Sequence, residues 1–498
     1  WVDVSKNIPG LPTGSWIVQI KASNKTKGEA LLVANDYRRF NYTPYAYRTT
    51  DYGKTWKRIV DADDVESYTL SIVEDPIEKN LLFLGTDDGL YVSTNAGGSW
   101  MKWTRGFPTV SVKDLVIQER EDDLVIGTFG RAAWVLDDIR PLREIAKNTN
   151  ILNEPLRVFN PPTAYQAAYQ QPTGSRFGGD ALYNGENRPG GARISYYFKK
   201  DESSADAKEM DTEDMSSDDE TENDSSNEGD ETNVAETSEI SEENKPSKDS
   251  IYMKIYDGTR LIRSLKRKVP DSTGIYTWRW WMDEAGVDRP SRTIRKRRRE
   301  PGGTSVKPGT YKVTLEHDGT STSTTVKVES DPRLDIPQQA IISSYDASKQ
   351  LENMTQTAAD AVKQLVESKN TADDFSKKLT KEDKKKYKEE IKASKEISKQ
   401  IDSLVAMYLG KVDKRQGITR NPEITVMQRI GQANWYSGSR PNGLTKTERT
   451  LIQQAEDELE AALQKTNMFF VTEWPKYQSK MNKVTISPFK DTRRIQLE

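Results

Sequence analysis

One eight-residue pattern occurs twice in the chain, and this repeat limits the possible folds more than any other feature. TTDYGKTW begins at residue 49 and STNAGGSW at residue 93, so the two copies start 44 residues apart. Both have a hydroxyl, an Asp or Asn, a Gly, a second hydroxyl and a Trp in the same positions: Thr49, Asp51, Gly53, Thr55 and Trp56, then Ser93, Asn95, Gly97, Ser99 and Trp100. An Asx side chain accepts hydrogen bonds from backbone N–H groups, and Gly adopts positive φ readily. The pattern therefore predicts a structural hairpin turn above a packed Trp.

Strand-like runs surround both copies and extend the repeat. These runs are residues 16–23, 29–36, 70–75, 80–93, 112–119 and 122–138. A period of about 40 to 50 residues is typical of four-stranded propeller blades. Residues 1–145 are therefore predicted to form three blade-like units, the third without a repeated turn. Three blades do not close a ring, and an open sheet edge leaves strand groups unpaired, so we expect a missing N-terminal part or a companion chain to complete the propeller.

The repeated turns resemble the Asp-box, or BNR repeat, of sialidases and sortilin-like propellers. Residues 127–142, GTFGRAAWVLDDIRPL, and residues 44–56, PYAYRTTDYGKTW, resemble a group of secreted bacterial BNR-repeat proteins that are often labelled glycosyl hydrolases. Phe129 and Ala132 replace a His and a Gly of the group's pattern, so any role of that His is lost here. The resemblance implies an extracytoplasmic propeller, in the periplasm, at the cell surface or secreted, whose Asp-boxes are structural and carry no catalytic carboxylate.

An insertion at residues 36–48, DYRRFNYTPYAYR, concentrates Tyr and Arg before the first repeated turn. Both residue types are enriched at binding hot spots, and surface loops often carry binding residues. The candidate partner-binding residues are therefore Arg38, Arg39, Tyr42 and Tyr45, together with Arg131 of the closing segment. The alternative is an ordinary long hairpin whose Tyr side chains alternate into the blade.

Several kinds of site are excluded by residue counts and by missing motifs. The chain has no Cys and a single His, His317, so a thiolate or multi-histidine metal site cannot form. His317 lies in VTLEHDGT, which predicts a strand running into a surface turn. No P-loop, nucleophile elbow, zinc-protease motif or dinucleotide fingerprint is present, so we predict no cofactor, no metal and no assignable catalytic residue. No nucleic-acid-binding motif is evident, and no apolar run approaches the roughly 20 residues that a membrane span needs.

The middle of the chain predicts a β-sandwich with an acidic insertion. Residues 146–189 are rich in Gly and Pro and predict a linker, whereas residues 190–332 contain short strands typical of an immunoglobulin-like sandwich. Residues 201–249 hold 20 Asp or Glu and three Lys with few apolar residues, so we predict disorder there.

A basic run in the same region has three open interpretations. Its members are Arg292, Arg295, Lys296, Arg297, Arg298 and Arg299. The run could be a solvated loop, could pair with the acidic insertion, or could contact an anionic surface such as lipopolysaccharide or nucleic acid.

Residues 333–498 change to a helical period and predict a bundle of three antiparallel helices. The apolar stripes are Leu351, Met354, Ala358, Ala361 and Leu365; Tyr387, Ile391, Ser394, Ile397, Ile401, Leu404 and Tyr408; and Ile452, Ala455, Leu459, Ala462, Thr466 and Phe470. Capping boxes at Thr380 and Thr445 predict helix starts, and a short extra helix is expected within residues 428–443. Pro475 is expected to end or kink the third helix.

The predicted fold class is thus multidomain, mainly β and then α: partial β-propeller blades, an immunoglobulin-like sandwich and a C-terminal helical bundle. We expect a non-catalytic propeller protein that binds a peptide, protein or glycan partner, within a surface or secretion assembly. The alternative is a sialidase-like glycoside hydrolase, for which Arg38, Arg39 and Tyr45 are of suitable residue types but form no recognisable set.

Overall fold

The N-terminal part of the computed structural model consists of three antiparallel sheets. The structure describes residues 3–167, 190–200, 248–294, 300–412, 424–439 and 442–484. The first sheet has the order β1 (Trp16–Ala22), β2 (Ala30–Asp36), β3 (Asn41–Thr49), β4 (Lys57–Arg58). The second has the order β5 (Thr69–Glu74), β6 (Leu82–Thr86), β7 (Leu90–Ser93), β8 (Met101–Lys102). The third contains β9 (Val112–Gln118), β10 (Asp123–Thr128) and β11 (Ala133–Leu136).

These three sheets pack face to face, and their first strands are neighbours. Strand β5 contacts both β1 and β9. Leu31 and Val33 of the first sheet share a core with Leu82 and Leu84 of the second. Both faces of β2 and β6 are buried, which explains why these two strands are continuous apolar runs without polar alternation. Strand β1 differs, because it forms the edge of its sheet and most of its side chains are exposed.

Helix α1 (Arg140–Lys147) follows the third sheet and attaches it to the second. The buried guanidinium of Arg143 lies 2.8 Å from Asp75, in the turn after β5, and also pairs with Asp122, in the turn after β9. Asp75 is fully buried, so the ion pair compensates a carboxylate that would otherwise be costly to desolvate.

A β-sandwich follows, in which two sheets enclose one apolar core. One sheet has the order β12 (Leu156–Val158), β14 (Ala192–Phe198), β17 (Gly274–Trp280). The other has the order β13 (Ala164–Gln166), β21 (Thr320–Ser330), β20 (Gly309–His317), β15 (Ser250–Asp257), β16 (Arg260–Lys268). A two-stranded hairpin, β18 (Asp283–Ala285) and β19 (Gly302–Ser305), lies beside them.

The segment predicted as a linker contributes to these sheets. Leu156, Val158 and Ala164 are apolar and lie in the sandwich core, so β12 and β13 complete its two sheets. The rest of that linker, residues 168–189, and residues 201–247 of the acidic insertion lie outside the described residues, as do residues 295–299 of the basic run. His317 is the last residue of β20, where its Nδ1 lies 3.1 Å from the Ser250 carbonyl oxygen.

The C-terminal part contains helices α2 (Gln338–Asp383), α3 (Lys388–Leu409), α4 (Val426–Gly438) and α5 (Lys446–Met481). All four contribute to one core, and the three predicted apolar stripes lie in it or against it. The extra helix expected within residues 428–443 corresponds to α4, and the capping box at Thr445 is confirmed at the start of α5. The chain continues as helix past Pro475 to Met481.

The helix start predicted at Thr380 is wrong. Thr380 lies inside α2, and its hydroxyl donates to the Ser376 carbonyl oxygen one turn earlier. Because Leu379 beside it is fully buried in the bundle core, the chain remains helical through this segment.

The predicted fold class is therefore confirmed as mainly β in the N-terminal and central parts and helical at the C-terminus. The domain limits stay predictions. Among the described residues, no helix combines the length and apolar character that a membrane span requires.

Candidate binding surface on the N-terminal sheets

The repeated turns and the Arg-rich insertion lie at opposite ends of the N-terminal sheets. Consecutive strands are antiparallel within each sheet. Asn35 near the end of β2 donates to the Thr69 carbonyl oxygen at the start of β5, and the Ser71 hydroxyl donates to the Val112 carbonyl oxygen at the start of β9. The connections β2–β3, β6–β7 and β10–β11 therefore share one end, which we call the connection end. Its residues are 37–40, 87–89 and 129–132. The repeated turns, residues 49–56 and 93–100, connect β3 to β4 and β7 to β8 and therefore lie at the other end.

Within the first repeated turn, the polar groups bind one another. Asp51 accepts hydrogen bonds from the Thr55 backbone N–H at 2.9 Å and from the Thr55 hydroxyl at 2.7 Å. These bonds lower the pKa of the Asp51 carboxyl. The Gly53 N–H donates to the Thr49 hydroxyl oxygen at 2.9 Å, and Gly53 has a φ of +83°, which a side chain would resist.

In the second turn Asn95 takes the place of Asp51 with the same geometry. Its side-chain oxygen accepts from the Ser99 N–H at 2.9 Å, while its amide donates to the Ser99 hydroxyl at 2.9 Å. Trp100 packs between the first two sheets and donates its indole N–H to the Ile59 carbonyl oxygen at 2.7 Å. Both turns therefore use their polar side chains to hold backbone.

At the connection end, one arginine of the insertion is stacked between aromatic rings. The insertion continues from β2 into a short 3-10 helix, Tyr37–Arg39. The guanidinium carbon of Arg38 lies 4.1 Å from the centroid of the Trp16 ring and 5.1 Å from that of Tyr37. The Tyr37 ring stacks in turn on Tyr68, with centroids 4.6 Å apart and planes 17° apart. The centroid of the Tyr42 ring lies 6.1 Å from that of Tyr68, so the five side chains form one connected cluster, in which Tyr68 is buried and Trp16 and Tyr42 are exposed.

We call Trp16, Tyr37, Arg38, Tyr42 and Tyr68 the aromatic–arginine surface. Burial, and then a hydrogen bond with Asp87, raise the pKa of the Tyr68 hydroxyl, so this phenol stays neutral at physiological pH. In the described part of the chain, no carboxylate lies within ion-pair distance of Arg38, and Phe40, two residues later, has 86% of its surface exposed.

The other candidate residues have different surroundings. Arg39 is bound to Asp36 at 2.6 Å and to the Thr13 carbonyl oxygen at 2.8 Å. Tyr45 is only 5% exposed and belongs to the core of the first sheet, so its ring does not face solvent. Arg131 is exposed in the β10–β11 connection, at the same end of the sheets. The structure thus brings Arg38 and Tyr42 together and separates Tyr45 from them.

Trp16 and Tyr68 belong to this surface although the insertion does not contain them. Trp16 is the first residue of β1, and Tyr68 immediately precedes β5. The first strand of each blade begins at the connection end, so β1 and β5 both start there. The predicted strand order could therefore have indicated Trp16 and Tyr68 as members of this surface.

Another exposed aromatic residue, Phe129, lies in the β10–β11 connection with 74% of its surface accessible. The Lys113 ammonium lies 5.6 Å from the centroid of its ring. Across the described residues, no group of three or more His, Asp or Glu side chains is arranged to hold a metal ion. The arrangement at the connection end is therefore suited to binding through cations and apolar rings.

Comparisons with protein-family models and with curated proteins found no match. One similar solved structure is a GH74 enzyme from Niastella koreensis, with 19% sequence identity, a TM-score of 0.22, and coverage of 24% of this chain and 21% of that chain. Another is the extracellular domain of a putative one-component system from B. thetaiotaomicron, with 10% identity, a TM-score of 0.17, and coverage of 65% of this chain and 38% of that chain. This chain covers less than two thirds of either structure, and similarities this weak assign neither fold nor function.

Proposed function

We propose that the chain contributes blades to an extracytoplasmic β-propeller whose connection end binds a peptide, protein or glycan without catalysing a reaction. The observation that supports binding is the aromatic–arginine surface, where the exposed Trp16 ring and the half-buried Tyr37 ring contact an arginine that pairs with no carboxylate of the described residues. Aromatic residues supply large contact areas, and arginine supplies several hydrogen-bond donors in a planar group. The extracytoplasmic location rests on the resemblance to secreted BNR-repeat proteins.

The propeller part of the proposal is supported by equivalent contacts in the first two sheets. An added Cβ at Gly97 of the second turn would lie 2.9 Å from Ile59, which follows the preceding sheet. At Gly53 of the first turn the corresponding neighbour is Val4, at 3.6 Å. The segment around Val4 therefore packs against the first turn in the same way as the segment around Ile59 packs against the second turn.

Among the described residues, the first sheet has a sheet on one side only, whereas the second sheet has one on either side. Strand β5 is buried by the sheets on either side, whereas β1 leaves Ile17, Val18 and Ile20 exposed. The buried indole N–H of Trp56 finds no acceptor among the described residues, although that of Trp100 does. We infer that a further blade or a companion chain covers this face of the first sheet.

Catalysis of the sialidase type is disfavoured by the state of the groups at the connection end. Such chemistry needs an activated nucleophile and a free pair of carboxyl groups. The pKa of Tyr68 is raised, which makes its phenol a poorer nucleophile. Asp36 is occupied by Arg39 and Asn41, and Asp88 is bound to Lys102 at 2.6 Å.

Panels of immobilised peptides and glycans, with fluorogenic glycosides in parallel, test this proposal. We expect the purified chain to bind at least one panel member and to hydrolyse no glycoside. Replacing Phe40 and Tyr42 by Ala should weaken that binding at least about tenfold, because two exposed aromatic contacts are lost. Ile77→Ala, a change at an exposed apolar residue in the turn after β5, at the opposite end of the sheets, is the matched control and should bind normally. Glycoside turnover, or binding that ignores the Phe40 and Tyr42 changes, would overturn the proposal.

A further inference from the structure

We propose that the aromatic–arginine surface recognises an acidic peptide segment and that the Arg38 guanidinium binds one of its carboxylates. This inference rests on the proposed function and names the class of ligand for the same surface.

Arg38 differs from the other arginines of the first sheet in what holds its side chain. Arg39 is held by Asp36 and the Thr13 carbonyl oxygen, and Arg48 lies 3.1 Å from both Glu29 and Glu74. Arg58 donates to the Pro44 carbonyl oxygen at 2.6 Å. Arg58 also lies over an aromatic ring, that of Tyr45, but of these four only Arg38 has aromatic contacts and no hydrogen-bond acceptor among the described residues. Its N–H donors therefore have no partner among the described residues and are available to a ligand, which suits bidentate binding of a carboxylate.

Two of the aromatic faces at this surface, one of Trp16 and one of Tyr37, are already covered by protein groups. A sugar ring binds by stacking on an open aromatic face. At this surface, Arg38 lies over one face of Trp16, and Tyr68 stacks on Tyr37 at 4.6 Å. The exposed apolar group nearest along the chain is Phe40, which suits an apolar side chain beside the carboxylate. These contacts favour a peptide over a glycan.

The charges around the surface also favour an anion. Asp36 is neutralised by Arg39, and Asp87 is engaged with Tyr68. Lys113 and Arg131 lie at the same end of the sheets, and neither has an ion-pair partner among the described residues. Such unpaired cations attract an anionic ligand at long range and make its binding sensitive to salt.

Fluorescence polarisation with the whole chain and three labelled probes tests the inference. The first probe is a decapeptide with a Glu-Phe-Glu centre flanked by Gly and Ser, the second has Gln-Phe-Gln instead, and the third is a hyaluronan oligosaccharide. We expect the acidic peptide to bind at least about tenfold more tightly than the Gln peptide, because a charge-assisted hydrogen bond is lost in the latter. Arg38→Ala should remove that difference, and Arg38→Lys should restore only part of it.

Arg120→Ala is the matched control, since Arg120 is an exposed arginine near the turn after β9, at the opposite end of the sheets, with 80% of its side chain accessible. Circular dichroism of each variant shows whether it is folded. Equal binding of the two peptides, or Arg38-dependent binding of hyaluronan alone, would overturn the assignment to acidic peptides. In both cases the proposed function would stand if Phe40 and Tyr42 still controlled binding in the panels. If the chain also bound no peptide or glycan in the panels, both proposals would be wrong.

Discussion

Glu284 joins the sandwich to helix α2, and its replacement by Gln gives a sharp test of how the two parts are held together. Its side chain is only 6% exposed, and its oxygens lie 2.9 and 3.0 Å from the Arg260 guanidinium. From α2, the Tyr345 hydroxyl donates to it at 2.6 Å, and the Lys349 ammonium lies 3.4 Å away. A neutral amide keeps the shape of the carboxylate and loses both ionic interactions.

The size of the effect follows from the pKa of Glu284. Burial by itself raises this pKa, but the hydrogen bonds from Arg260 and Tyr345 and the charge of Lys349 outweigh burial and lower it from 4.5 to about 2. Since one pKa unit corresponds to about 1.4 kcal/mol, the shift corresponds to about 3 kcal/mol. The Arg260 side chain is 51% exposed, so solvent screening reduces the expected loss to about 1–2 kcal/mol.

The pH dependence has a definite sign. Because the folded pKa is lower than the unfolded pKa, the charged carboxylate stabilises the folded chain fully above pH 4.5. That stabilisation is lost as the pH falls from 4.5 towards 2. Glu284→Gln should therefore lower the melting temperature by about 3–6 °C at neutral pH and by much less at about pH 3.

Differential scanning calorimetry of the wild type and Glu284→Gln at both pH values measures this difference. The control is Glu316→Gln, which removes a 2.7 Å pair with Lys254 on the sandwich surface and should cost less than about 1 kcal/mol. A melting difference that is unchanged at low pH, or an equal effect of the control, would refute the reasoning.

Three further changes test other parts of the structure. Arg143→Met leaves the buried Asp75 carboxylate without its cation and should cost at least about 3 kcal/mol, measured as a lower thermal midpoint by circular dichroism; an unchanged midpoint would contradict the role of α1. Trp100→Phe removes the donor to the Ile59 carbonyl oxygen and should lower the free energy of unfolding in urea by about 1–3 kcal/mol; an unchanged free energy would show that this hydrogen bond does not hold the second turn to the first sheet. Thr445→Ala removes the capping hydroxyl of α5 and should lower stability by about 1 kcal/mol, followed at 222 nm; an effect below about 0.3 kcal/mol would show that the cap is dispensable.

Local patterns predicted many elements of the fold. The apolar stripes identified the bundle core because a helix repeats its faces every 3.6 residues, whatever the rest of the chain does. The capping patterns at Thr380 and Thr445 show where this reasoning stops. Both have a hydroxyl followed three residues later by an acid, yet only Thr445 starts a helix, because buried Leu379 keeps the chain around Thr380 inside α2.

The candidate surface was predictable only in part, for a related reason. The insertion indicated a region rich in Tyr and Arg, but Tyr42 lies at the start of β3 and is exposed, whereas β3 is buried on both faces at residues 44–47, so Tyr45 is buried. The composition of the insertion does not show that Arg39 is hydrogen-bonded within the protein while Arg38 is not. Their difference depends on Trp16 and on the Thr13 carbonyl oxygen, which are far from them in sequence.

The sequence by itself determined the repeated turns, the change from strands to helices, and the residue types available for binding, because each depends on interactions within a few residues. Tertiary structure alone decided which charges are neutralised and which rings are covered. Tyr37 meets Tyr68, and Glu284 meets Tyr345, only after folding brings separate elements together. Whether Arg38 can bind a ligand is therefore a property of the packed sheets, because an arginine is free only when folding places no acceptor beside it.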